Sequence, residues 1–132
     1  MVVRLCIALA ALGGFVSVGV GAFAAHGMGA QMDAQSMQWL ETGARYQMYH
    51  ALAALGAAAL TGVLPHRRRV LMAAAALFFA GMILFSGTLY ALALTPWTGL
   101  GAVAPLGGLS YLAGWLVLVW AALGARAGGK AA

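Results

Sequence analysis

A chain of 132 residues leaves room for one domain, and 64% of its residues are apolar against 7% charged. Soluble domains carry about a quarter charged residues, so this composition excludes an ordinary soluble protein and makes the lipid bilayer the expected partner. The formal charge of +5 argues for no nucleic-acid role, because the basic residues flank apolar blocks instead of forming a binding surface.

Four apolar blocks, residues 5–25, 46–64, 70–94 and 105–124, each come close to or exceed the roughly 20 residues that cross about 30 Å of hydrocarbon as a helix. The expected fold is all-α. It is a four-transmembrane-helix bundle with a short amphipathic interfacial helix in the first outer connection, and residues 1–132 form a single integral membrane domain. Arg4 precedes the first block, Arg67, Arg68 and Arg69 separate the second from the third, and Arg126 and Lys130 follow the fourth. With an even number of spans these groups share one side, which the positive-inside rule makes cytoplasmic. Both termini are therefore expected in the cytoplasm, and residues 25–45 and 95–104 outside.

The first block also reads as a signal peptide, with Arg4 ahead of an apolar run and Ala22-Phe23-Ala24 as a cleavage site. Against that, Ala10, Gly14, Ser17, Gly21 and Ala24 draw a small-residue stripe along one helix face, as a packed membrane helix requires and a signal peptide does not. A retained helix is expected. Its lone Cys6 allows no internal disulfide and no CxxC site, which leaves a packing role. His26-Gly27-Met28-Gly29 supplies the stop.

After it, Asp33 caps a short helix in which Met37, Leu40 and Ala44 share a face and Trp39 is an interfacial anchor, so the segment is expected to lie flat on the outer surface. Glu41 and Arg45 stand at i,i+4 in the favourable order. In the second span, Gly43, Tyr46, Gln47, His50, Ala54, Ala57 and Thr61 fall within about a third of the helical circle, opposite Met48, Leu52, Leu55 and Val63. The polar and small face is expected to turn inward. Pro65 ends this helix.

The third span carries Phe85-Ser86-Gly87-Thr88-Leu89-Tyr90 in its outer half, with Ser86 and Tyr90 on one face and Thr88 on the other. Trp97 marks the headgroup level beyond it. Pro105 suits the first turn of the last span, whose outer and inner ends are marked by Tyr111 and Trp120.

No Asp, Glu, Lys or Arg lies within any of the four blocks, which weakens an ion-coupled transporter because such proteins need an intramembrane charge. His26 and His50 could both face the outer half of the bundle, with Glu41 or Asp33 to complete a metal site, but HxxxH and HxxE spacings are missing. No metal site and no catalytic residue is assigned, and the cofactor, if there is one, is unknown. A histidine bonded to Ser86, Tyr90 or a carbonyl is the plainer reading. Ser86 as a nucleophile and residues 99–108 as a phosphate loop are discounted, the latter for want of a Lys-Ser/Thr ending. The candidate cluster, a binding site or a structural polar pin, is His26, Glu41, Arg45, Tyr46, Gln47, His50, Ser86 and Tyr90.

Several segments carry a resemblance that covers nearly the whole chain. Gly21-Ala22-Phe23-Ala24-Ala25-His26-Gly27, Thr42-Gly43-Ala44-Arg45-Tyr46-Gln47-Met48-Tyr49-His50-Ala51-Leu52, Phe85-Ser86-Gly87-Thr88-Leu89-Tyr90-Ala91-Leu92 and Ala104-Pro105-Leu106-Gly107-Gly108 resemble the YgdD/YwdK-like family of small bacterial membrane proteins. Ala24 departs from the glycine of that pattern. The resemblance implies four spans in a bacterial inner membrane. It implies no activity, cofactor or catalytic residue, since the family is a domain of unknown function with a small transmembrane relative in animals. The expected role is that of a structural or interaction subunit, as a homo-oligomer or with a membrane-complex partner. The alternative is an outward-facing binding or transport protein for a small molecule, lipid or quinone.

Overall fold

The computed structural model describes residues 1–26 and 32–124. The expected stop at Gly27 and Gly29, and the basic residues Arg126 and Lys130, lie outside the described residues. Four long helices follow in order: α1 Val2–His26, α2 Ala34–Val63, α3 Pro65–Leu94 and α4 Ala104–Leu123. A short 3-10 turn, Thr98–Ala102, leads into α4. Val2–His26, Pro65–Leu94 and Thr98–Leu123 are each long and apolar enough to cross a membrane. α2 falls short of them because Tyr46, Gln47, Tyr49 and His50 dilute its apolar half.

α2 differs from the sequence expectation. The short interfacial helix and the second span are one uninterrupted helix of 30 residues. Two physical facts explain this. No proline interrupts the segment, and its first turns bury Ser36 and Leu40 against the bundle. Leu40 is 2% exposed in a cluster with Ala24 of α1 and Ala93 of α3, while Met37, Trp39 and Tyr90 pack around it. At about 1.5 Å per residue the helix is roughly 45 Å long, well beyond the hydrocarbon thickness.

Asp33 caps this helix as expected. Its carboxylate accepts the Ser36 backbone N–H at 2.9 Å and the Ser36 hydroxyl at 2.9 Å. These bonds, the backbone one foremost, hold the carboxyl below the usual carboxylate range. A depressed folded-state pKa means that the cap contributes fully above the ordinary carboxylate pKa and is lost as the pH falls through the depressed value. Asp33→Ala at neutral pH, or acidification of the unaltered protein, is therefore expected to speed hydrogen exchange at the Ser36 amide while leaving residues 50–60 protected. Unchanged exchange at Ser36 would rule out the cap.

α2 packs against both α1 and α3, and α4 packs chiefly on α3. The shared core is built from small residues, with Ala10 of α1, Ala51, Ala54, Ala57 and Ala58 of α2, and Ala74 and Ala75 of α3 all at most 3% exposed. In lipid, where burial brings no hydrophobic gain, such residues let helix backbones approach closely enough for dispersion to hold them. Phe78, Met82 and Tyr111 fill what remains. The wheel drawn for α2 agrees with the burial of Gly43, Gln47, His50, Ala54 and Ala57 and the exposure of Leu52, Leu55 and Val63. The buried arc is wider than expected, taking in Ala44, Ala51 and Ala58, because α1 covers the neighbouring face.

Within α3, Met82–Ser86 form a π-helical turn, with the Gly87 amide donating to the Met82 carbonyl. This turn faces both α2 and α4. Such turns insert a residue into the helix and re-aim the side chains beyond it.

Candidate functional site

His50 is the centre of the buried polar groups, at 5% exposure. Its ring stacks on Tyr111 of α4, with centroids 3.4 Å apart and planes 9° apart. Nδ1 lies 2.7 Å from the Tyr46 carbonyl one turn earlier, and Nε2 accepts the indole N–H of Trp115 at 3.2 Å. Because an indole nitrogen only donates, Nε2 carries no proton and Nδ1 carries it, so the imidazole is neutral with both nitrogens engaged. Phe78 and Phe85 close the surround, their ring centroids 5.6 Å from His50 and 5.7 Å from Tyr111 respectively.

The expected partners of His50 are thus partly replaced. A carbonyl does bond it, but Ser86 and Tyr90 do not. Ser86, fully buried, lies 3.3 Å from the Tyr111 hydroxyl and so reaches His50 only through the stacked ring. Tyr90 packs against Gly43 of α2, where its ring leaves no space for a β-carbon, and its buried hydroxyl has no partner among the described residues. Thr88, expected on the opposite side, is buried too. Gln47 turns toward α1, donating to the Gly13 carbonyl at 2.8 Å. Next to it, the Ser17 hydroxyl donates to the Ala44 carbonyl at 2.6 Å. Cys6 is buried, its Sγ 3.8 Å from the Ala54 carbonyl.

The remaining candidates do not join the cluster. His26, Glu41 and Arg45 are exposed. Ala24 is level with Leu40, and His50 lies ten residues further along α2, about 15 Å by helix rise. His26 and His50 therefore cannot share an ion. Among the described residues no three His, Cys, Asp or Glu side chains converge. Tyr46 is 40% exposed, contrary to the inward face expected of it, because α2 and α4 do not close on each other there.

That opening is a cleft of about 750 Å³ lined by Tyr46, Tyr49, His50, Phe85, Tyr111 and Trp115, with Leu109 and Leu112 along its edge. Tyr111, expected only to mark the outer end of the last span, and Trp115, not expected at all, complete this wall. The signal was present in Gly107, Tyr111, Gly114 and Ala121, which share a helix face with small residues on both sides of the tyrosine. Gly114 admits the Phe78 ring, and Gly81 of α3 admits Tyr111 itself, since a β-carbon at either would collide with the aromatic carbons.

Long apolar helices, an alanine seam and polar side chains bonded to partners on other helices define a small helical membrane protein. The family described as "Protein of unknown function (DUF423)" matches residues 20–108. The membrane protein YwdK of Bacillus subtilis is 40% identical over 120 residues, covering 91% of this chain and 97% of its own. The inner membrane protein YgdD of Escherichia coli K12 is 40% identical over 124 residues, covering 93% and 92%. The membrane protein SH2409 of Staphylococcus haemolyticus is 42% identical over 117 residues, covering 88% and 93%. The chain belongs to this DUF423, or UPF0382, family of membrane proteins. No solved structure matches it.

Proposed function

We propose that the protein is a four-span subunit of the bacterial inner membrane, with both termini cytoplasmic, whose role is structural or interactive and not catalytic. The supporting observation is the internal use of its polar groups. Gln47 and Ser17 tie α2 to α1, His50 and Trp115 tie α2 to α4, and Ser86–Tyr111 and Ser110–Leu77 tie α3 to α4. Groups bonded to each other in this way are pins between helices, which is how polar side chains serve inside a membrane bundle. The inner-membrane assignment follows the family member YgdD. Native mass spectrometry of gently extracted protein tests the role, with a homo-oligomer or a co-extracted membrane partner expected. A bare monomer overturns it. Threading is tested in a Cys6→Ala background, where Gln35→Cys is expected to react with an impermeant label from outside and Arg68→Cys only from the cytoplasm; the reverse pattern would invert the chain.

One observation favours a second reading, lateral binding of a lipid or quinone. The α2–α4 cleft opens onto the stacked His50 and Tyr111 rings, and a flat ring or an acyl chain fits a space walled by aromatic carbon. A stoichiometric small molecule that survives extraction, and is lost when the cleft is filled by Leu112→Trp, would favour this reading.

A further inference from the structure

A second recess, of about 390 Å³, lies where the first turn of α1 meets the first turns of α3. Val2, Arg68, Arg69 and Met72 line it. Its floor is apolar, since Met72, with Val3 beside it, packs on the alanine core. Two of its four lining residues are arginines at adjacent helical positions, long enough for both guanidinium groups to reach one anion in the recess.

The arginine before them serves another purpose. Arg67 donates from Nη2 to the Gly124 carbonyl at the end of α4, and its guanidinium lies 5.4 Å from the centre of the Trp120 ring. It closes α4 against the start of α3. Arg68 and Arg69 are exposed, and no hydrogen bond or ion pair engages either among the described residues. No acidic side chain can reach them, because the chain has only two, Asp33 and Glu41. Both stand at the far end of α2, with Glu41 separated from Val63 by about 33 Å of helix.

We propose that this recess binds the phosphate of an anionic glycerophospholipid, with the Arg68 and Arg69 guanidinium groups forking onto its oxygens and the first acyl carbons resting on Val2 and Met72. Guanidinium matches phosphate in shape as well as charge. A headgroup with net negative charge gains from both arginines, whereas a zwitterion brings its own cation into the same space. The site needs only that this end of the bundle meets a headgroup layer, so it stands whichever way the chain is threaded.

The test uses delipidated full-length protein in neutral detergent, titrated with phosphatidylglycerol or phosphatidylcholine and read as lipid adducts by native mass spectrometry. Phosphatidylglycerol is expected to bind with an affinity on the order of tenfold or more above phosphatidylcholine, and the Arg68→Gln/Arg69→Gln pair to erase that preference. Val2→Trp fills the recess from an exposed terminal position without touching the charge, and is expected to lose the lipid as well. Arg4→Gln removes an exposed cation that does not line the recess and is expected to keep it. Equal binding of the two lipids, retention by Val2→Trp, or an equal loss in Arg4→Gln would overturn the proposal, the last by showing diffuse attraction. Displacement of phosphatidylglycerol by an equal concentration of inorganic phosphate would also overturn it, assigning the recess to the free ion.

Discussion

Gly107→Ala is expected to destabilise the bundle by about 3 kcal/mol, at the upper end of what one misplaced methyl group costs in a packed interior. A β-carbon at residue 107 would lie 2.7 Å from the Phe85 Cβ and 2.8 Å from the Leu84 carbonyl carbon, and it would also press on the Phe85 amide nitrogen. Side-chain ends can rotate away from such a contact, but backbone held in a π-helical turn cannot. Relief requires α4 to move off α3. That movement would strain the Ser86–Tyr111 contact and the His50 stack together. The neighbouring Gly108→Ala is the control, since nothing lies within 4 Å of its β-carbon position and no loss of stability is expected. Unfolding of both variants in mixed micelles measures the difference; equal stability would mean that α3 and α4 are not in this contact.

His50→Ala is expected to cost a similar amount, about 3 kcal/mol, the usual penalty for removing a buried ring. The deletion empties a space between Phe78, Tyr111 and Trp115 and leaves the Trp115 indole N–H without its acceptor. His50→Phe separates the two effects. It keeps a flat ring for Tyr111 while losing both hydrogen bonds, so it is expected to recover most of the stability, interhelical bonds in membranes averaging about 0.6 kcal/mol. The measurement is the melting temperature in detergent. If His50→Ala melted with the unaltered protein while a bound lipid or quinone disappeared, the imidazole would belong to a ligand site and not to the framework.

The parts of this arrangement legible in the sequence are those fixed by period and by the cost of burying polarity. The inward arc of α2 follows from the placement of Gln47, His50, Ala54 and Ala57, and the Asp33 cap from a carboxylate ahead of a helical segment. The partners of the polar groups were not legible. Ser86 and Tyr90 share a helix face, yet one meets α4 and the other meets α2 and borders a smaller cleft beside α1. Which neighbour a side chain finds depends on helix packing, and packing here is set by glycines at 43, 81 and 114, which face aromatic rings, and at 107, which faces the α3 backbone. The π-helical turn leaves no mark in a sequence of Met-Ile-Leu-Phe-Ser.

The continuity of α2 across residues 34–63 has a mechanical consequence. A loop between the first turns and the turns around His50 would let one end move while the other stayed at rest, as a slack rope does. A single helix acts as a rod. Any force applied at Gln35, Gln38 or Glu41, which are all exposed, is carried through Leu40 and Gly43 to His50 without a joint to absorb it. Because the exposed turns and the turn that stacks His50 on Tyr111 belong to one rod, a tilt of either is a tilt of both.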